Sequence, residues 1–172
     1  MQPIPTPAQS LILFANSRRL GGRPDLLAAR ASAGKALVRA GLLPAGTVPT
    51  PSALRRLVAL RAALNAALRG DEEAWTDIDA EATGVRIRLE FGSGPAASVR
   101  ATATGDPVAA LLLTLYEAVA DGSWSRIRRC ANDVCAAAFY DTTRNRTGRW
   151  CSYARCGNRA NVAAHRARTT AG

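Results

Sequence analysis

Apolar residues recur at helical spacing along much of the chain. In 51–69, leucines at 57, 60, 64 and 68 form one stripe, while Arg55, Arg56, Asn65 and Arg69 point elsewhere. Thr50-Pro51 gives this helix an N-cap and a proline at its first position, and Gly70-Asp71 ends it. Asp106-Pro107 opens a second helix in the same way; a Leu-rich run follows over 108–120, and Gly122 sits at the stop. Upstream, 11–17 and 26–40 suit two more helices, the latter stopped by Gly41 and Pro44. Between the two strongest helices the period changes to two. Val85, Ile87, Leu89 and Phe91 alternate with Arg86, Arg88 and Glu90, Gly92-Ser93-Gly94 makes a turn, and 98–104 returns as a second strand. These elements predict an α+β protein: a mainly helical N-terminal domain with one β-hairpin over 1–122, and a separate small module over 123–172.

Charge sharpens that boundary, which falls at Asp121-Gly122-Ser123. Residues 1–122 carry 13 basic and 11 acidic side chains, whereas 123–172 carry 10 arginines and only Asp133 and Asp141. Most of the formal charge of +10 therefore lies in the last fifty residues, a block that points to a polyanionic partner. Lys35 is the only lysine, so part of the arginine excess reflects a GC-rich genome; the disappearance of acids after position 141 does not. A hydrophobic fraction of 48% supports a globular core. No apolar run reaches the length of a membrane span, and the Pro-rich start does not read as a signal peptide, so a soluble cytoplasmic protein is expected.

The candidate chemistry lies in the same block. All four cysteines fall within it, spaced C-x4-C-x15-C-x4-C: Cys130, Cys135, Cys151 and Cys156. Two short-spaced pairs provide the four soft ligands of a tetrahedral zinc ion, one per chain, and a module this small needs such a tie to fold. Two disulfides or four unrelated thiols are the plain alternatives. A cytoplasmic location argues against the first and the matched pairing against the second; an iron–sulfur cluster is the remaining alternative. Four thiolates on one dication lower the charge of the block from +8 to about +6. A strand over 136–140, turn residues at 141–143 and 148, and a helix over 157–168 give the order knuckle, hairpin, ligand-bearing helix, which is treble-clef-like.

Cys156-Gly157-Asn158-Arg159 reads CGNR and is preceded by Arg149-Trp150-Cys151, with Phe139, Asp141 and Asn145-Arg146 upstream. Over about 124–168 the chain resembles the CGNR zinc finger family. Leu13-Phe14-Ala15-Asn16-Ser17-Arg18, Gly41-Leu42-Leu43, and the hairpin followed by Asp106-Pro107 resemble the ABATE domain that precedes this finger. The resemblance implies a stress-induced transcriptional regulator whose finger binds DNA.

The residues support a related expectation. Arg155, Arg159 and Arg166 line one helical face, with Asn158, Asn161, His165 and Arg168 on an adjacent strip; Arg and Asn read base edges in the major groove. Arg144, Arg146 and Arg149 sit in or beside the expected hairpin loop, suited to phosphates. The plain alternative is a solvated basic face. Gly157 is expected to allow close packing beside the metal, and Asn158 or Arg159 to brace its loop or touch a base. His165 is expected on the surface and not on the metal. Trp75, Trp124 and Trp150 are expected in cores, and Asn16, polar inside an apolar helix, to pair with a backbone group. No enzyme is expected: four thiolates close a zinc site, and phosphate-loop, nucleophile-elbow and deaminase motifs are missing. The expected function is DNA binding in transcriptional regulation, with the N-terminal domain sensing a small molecule or other signal, or forming a homodimer. RNA binding and a zinc-stabilised protein-interaction module are the alternatives.

Overall fold

The structure, a computed structural model, describes residues 3–92, 98–103 and 105–170. Helix α1 spans Thr6–Ala15, α2 Arg30–Arg39, α3 Pro51–Ala67 and α4 Glu73–Ala82. Strands β1 (Ile87–Gly92) and β2 (Ser98–Ala103) precede α5 (Pro107–Ala120). A 3-10 turn, Ser123–Arg126, leads to β3 (Ile127–Arg129) and β4 (Ala138–Tyr140). A π-helical turn, Tyr153–Gly157, then opens α6 (Asn158–Thr170). Among the described residues this is an α+β arrangement with two antiparallel two-stranded sheets, β1–β2 and β3–β4.

The two cap-marked helices begin as their sequences dictate. Thr50 Oγ1 accepts from the Ala53 amide at 3.1 Å, and Asp106 Oδ1 from the Val108 amide at 2.9 Å. Leu57, Leu60 and Leu64 of α3 meet Leu11 and Phe14 of α1, Leu37 of α2 and Val108, Leu111 and Leu115 of α5 in one buried cluster. Leu68 is only half-buried. Asn65, expected to face away, instead donates to the Ala15 carbonyl at 3.2 Å and so ties α3 to the end of α1.

Arg61 lies on the buried side of α3, 7% exposed. Asp25 holds it in a two-pronged ion pair, both contacts at 2.7 Å, and Ser17 Oγ accepts from it at 3.2 Å. The Arg61 bonds hold the Asp25 carboxyl below its ordinary pKa, against its partial burial and with help from the Leu27 amide.

Helix α4, the exposure of the β1–β2 hairpin and the place of Trp75 add to the sequence expectation or differ from it. Helix α4 was not foreseen; it buries only Ala74 and Ile78, too little to make an apolar stripe. The expected β1–β2 hairpin pairs antiparallel, from Ile87 opposite Ala103 to Gly92 opposite Ser98, but Ile87 and Leu89 are exposed. Its expected turn beyond Gly92, and Thr104, lie outside the described residues. Trp75, expected in the core, is 39% exposed and meets Trp124 edge-on, with centroids 5.3 Å apart. Trp124 packs against the main cluster as expected.

That cluster does not stop at position 122. Ile127 of β3 and Ala138 of β4 belong to it, and Tyr140 packs on it. The first strands of the cysteine-bearing segment are thus laid directly onto the helical core. No helix among the described residues is long and apolar enough to cross a membrane.

Candidate metal centre

Strands β3 and β4 pair across Ile127–Tyr140, Arg128–Phe139 and Arg129–Ala138. Their connection is the first knuckle, carrying Cys130 and Cys135. The expected hairpin therefore forms on the other side of the knuckle: β4 turns back onto β3, and 141–152 contains no strand. The knuckle's turns come from its own sequence. Asn132 Oδ1 accepts from the Val134 amide at 3.1 Å, and the Asn132 carbonyl accepts from the Cys135 and Ala136 amides at 2.9 and 2.7 Å. Ala136 then takes a left-handed conformation, φ +49°, unusual for a residue with a side chain. The Cys130 amide donates to the Ala137 carbonyl at 2.8 Å, closing the loop.

The second pair arrives through a loop organised by Asp141. Its side chain is fully buried. Oδ1 accepts from the amide and hydroxyl of Thr143 at 2.9 and 2.7 Å, and Oδ2 from the Gly148 amide at 2.8 Å. Burial opposes ionisation, but these donors and Arg128, 3.6 Å away, outweigh it and hold the carboxyl below its ordinary pKa. Gly148 must be glycine for this approach, because a Cβ there would lie 2.6 Å from Oδ1. The Arg149 carbonyl then accepts from the Ala131 amide at 2.8 Å, which seats Trp150 and Cys151 beside the first knuckle. Cys156 follows within the π-helical turn, where its amide reaches back to the Ser152 carbonyl at 2.8 Å.

The four sulfurs converge, every pair lying within 4.8 Å. Cys135 Sγ is 3.5 Å from Cys151 Sγ, which is 3.7 Å from Cys156 Sγ. A tetrahedron with zinc–sulfur bonds of about 2.3 Å has edges of about 3.8 Å, so the donor set fits one ion. These separations exceed a disulfide bond of about 2.05 Å, and all four cysteines are free thiols. They also leave no room for a multi-iron cluster, in which each iron takes its own ligands. Cys130 and Cys156 are buried and the other two half-buried, so the site lies just beneath the surface.

The environment of the sulfurs pushes their ionisation in different directions. Burial raises the Cys151 and Cys156 thiols, and the nearby Cys135 sulfur raises both further. At Cys135 burial is outweighed by the Ala137 amide and the surrounding sulfurs, which hold it below its ordinary value. A dication held by the four sulfurs would favour the thiolate form of each. The four cysteines thus make a site for one metal ion, consistent with a single zinc.

Around the centre, the CGNR glycine has a clear cause. A Cβ on Gly157 would lie 2.7 Å from the Tyr153 ring and 3.2 Å from the half-buried Trp150. Tyr153 is itself tied to α6 by the Asn161 side chain, which donates to its hydroxyl at 3.1 Å. Beyond the cysteine cluster, Arg155, Asn158, Arg159, Val162 and Arg166 line one shallow groove along the π-helical turn and α6. All five are exposed, with Val162 at the centre of the stripe. Arg168 is exposed on the same helix; the His165 side chain lies outside the described residues.

The loop arginines divide. Arg144 is exposed, and Arg149 lies over the Trp150 ring at 5.3 Å. Arg146 sits at φ +54°; its guanidinium donates to Ser125 Oγ at 3.2 Å, and its carbonyl accepts from Arg128. Arg126, which sequence reasoning did not single out, donates to the carbonyls of Asp141 and Thr143, both at 3.1 Å. Residues that do most to position the ligands, Asp141 among them, carried no such signal beyond their place in the motif.

Against families of known proteins, residues 126–169 match the CGNR zinc finger. The match covers about a quarter of the chain and contains all four cysteines and the groove-lining residues. No curated protein matches the chain.

Proposed function

We propose that the chain is a DNA-binding transcriptional regulator whose zinc-held helix α6 reads the major groove. The observation that carries this reading is the exposed stripe of Arg155, Asn158, Arg159, Val162 and Arg166, which runs from the ligand-bearing π-helical turn onto α6. At 13 residues α6 is about 20 Å long, and a major groove admits a helix of this kind. Bidentate contacts from arginine to guanine and from asparagine to adenine are the chemistry such a stripe offers. His165 and Arg168 extend the same helix, and Arg144, Arg146 and Arg149 are assigned to phosphates. The chain order, a knuckle between paired strands and a ligand at the start of the last helix, fits a treble-clef-like finger. Four thiolates filling a tetrahedral ion leave no open position for catalysis, so a structural, non-enzymatic zinc is inferred.

In this reading residues 123–172 hold DNA, and residues 1–122, nearly neutral and resembling an ABATE domain, sense a signal or small molecule or join two copies. The exposed Ile87, Leu89, Tyr116 and Val119 offer apolar surface for self-association. One finger presents little base-reading surface, which favours a homodimer on DNA. The cytoplasmic location and the role in a stress response rest on the sequence and the family resemblance. Selection from random duplex DNA, run beside an RNA pool, tests the proposal. Enrichment of a duplex motif is expected. Enrichment from the RNA pool alone would move the function to RNA, and enrichment from neither would favour an acidic protein partner.

A further inference from the structure

We propose that the turn closing helix α1 is part of the metal centre, with Asn16 at the helix cap and Arg18 two residues beyond it acting as positioning residues for the first zinc knuckle. The Asn16 amide donates to the Ala138 carbonyl at 2.9 Å and accepts from the Ala138 amide at 2.8 Å. One side chain thus satisfies both backbone groups of one residue, as a neighbouring strand would, from 122 residues away. Two residues along, Arg18 Nη2 donates to the Ala136 carbonyl at 2.6 Å. Ala136 directly follows the ligand Cys135 and holds the left-handed turn that lets the chain leave the metal.

The three residues after Cys135 are therefore each held by a different hand. Arg18 holds Ala136, the Cys130 amide holds Ala137, and Asn16 holds Ala138. The middle bond belongs to the knuckle; the outer two come from the turn that follows α1. A left-handed alanine stores strain, and such turns persist where their surroundings over-determine them. Arg18 supplies that determination at the strained residue itself.

The end of α1 is in turn immobilised from behind. Ser17 Oγ accepts from Arg61, the Ser17 carbonyl accepts from the Leu26 amide at 2.8 Å, and Asn65 holds the Ala15 carbonyl. A continuous path of hydrogen bonds runs from the Arg61–Asp25 pair through Asn16-Ser17-Arg18 to the residue beside a zinc ligand. The metal's affinity is accordingly set in part by the turn after α1, and by linkage a bound metal holds that turn in place.

The test uses the full zinc-loaded chain and a chromophoric chelator, with cobalt substitution as a second readout. Asn16→Leu removes donor and acceptor at similar volume; Arg18→Met removes the cation; Arg18→Lys restores one donor. The first two are expected to weaken zinc retention about 10- to 100-fold and to alter the sulfur-to-cobalt absorption, with Arg18→Lys intermediate. Arg56→Met, which breaks the Arg56–Glu81 pair between α3 and α4, is expected to retain zinc as the parent does. If Asn16→Leu fails to fold, the half-buried Arg18→Met decides. Parental zinc affinity and cobalt spectra in Arg18→Met would overturn the proposal, as would equal zinc loss from Arg56→Met.

Discussion

Replacing Asp141 with asparagine changes almost no volume but inverts half of a buried acceptor. The amide oxygen can take the Oδ1 place and keep both Thr143 bonds. Its NH2 group then faces the Gly148 amide and the Arg128 guanidinium, donor against donor. One hydrogen bond to a charged acceptor is lost and two donors are left facing a third, which costs about 2–3 kcal/mol. Asp141→Ala loses all three short bonds. Thr143 is exposed and can recover water, so the total should be about 3–5 kcal/mol and not the full sum. For a domain of this size, a loss of 2–3 kcal/mol lowers Tm by about 5–10 °C.

The assay is thermal and urea unfolding at a fixed excess of zinc, because bound metal itself adds stability. Gly148→Ala supplies the internal control. Its methyl would sit 2.6 Å from a carboxylate that is too firmly held to move, at a cost of about 1–3 kcal/mol. In an Asp141→Ala background that clash disappears, so the double variant should be less unstable than the two single costs together. The folded Asp141 carboxyl lies below its ordinary pKa. Its contribution is therefore complete above about pH 4 and falls only as pH drops further. Additive single and double variants, or an Asp141→Asn protein as stable as the parent, would refute this account of the loop.

Three further outcomes follow from the same geometry. Ala136→Gly should be within about 0.5 kcal/mol of the parent, since relief of the left-handed strain offsets lost burial and added chain freedom, while Ala136→Val should cost about 2 kcal/mol or more; urea midpoints check both. Gly157→Ala should displace the Tyr153 ring and cost about 1–3 kcal/mol, seen as a lower Tm and faster zinc release to a chelator. Asp25→Asn should cost about 2–3 kcal/mol at neutral pH, less than severing a fully buried pair because the Asp25 side chain keeps 33% exposure. Because the folded Asp25 pKa is depressed, its gap from the parent should be complete above about pH 4 and close as acid protonates it, measured by unfolding at stepped pH.

Where the sequence was legible, the information was local. The caps at Thr50 and Asp106 announce α3 and α5 because a capping side chain acts within three residues of itself. The cysteine spacing announces the metal because four soft ligands in two pairs have few other uses. Helix α4 was silent because an acidic ten-residue segment that buries two side chains has no stripe to show. The pairing of β4 with β3 was hidden by the brevity of each strand, three residues apiece. Arg61 carries no local signal of burial, because its ion-pair partner Asp25 lies 36 residues away. Asn16 was legible as a residue seeking a backbone partner, but that partner lies across the whole chain, and no spacing rule reaches it.

The affinity of the zinc-loaded chain for its selected duplex, measured for the parent, Arg155→Ala and Arg166→Ala on matched and singly changed sites, decides the groove-reading role of α6. Each variant, with zinc content verified, should lose about 1–3 kcal/mol on the matched site and relax the preference at one base pair. Variants that keep their zinc and bind matched and changed sites as the parent does would contradict that role.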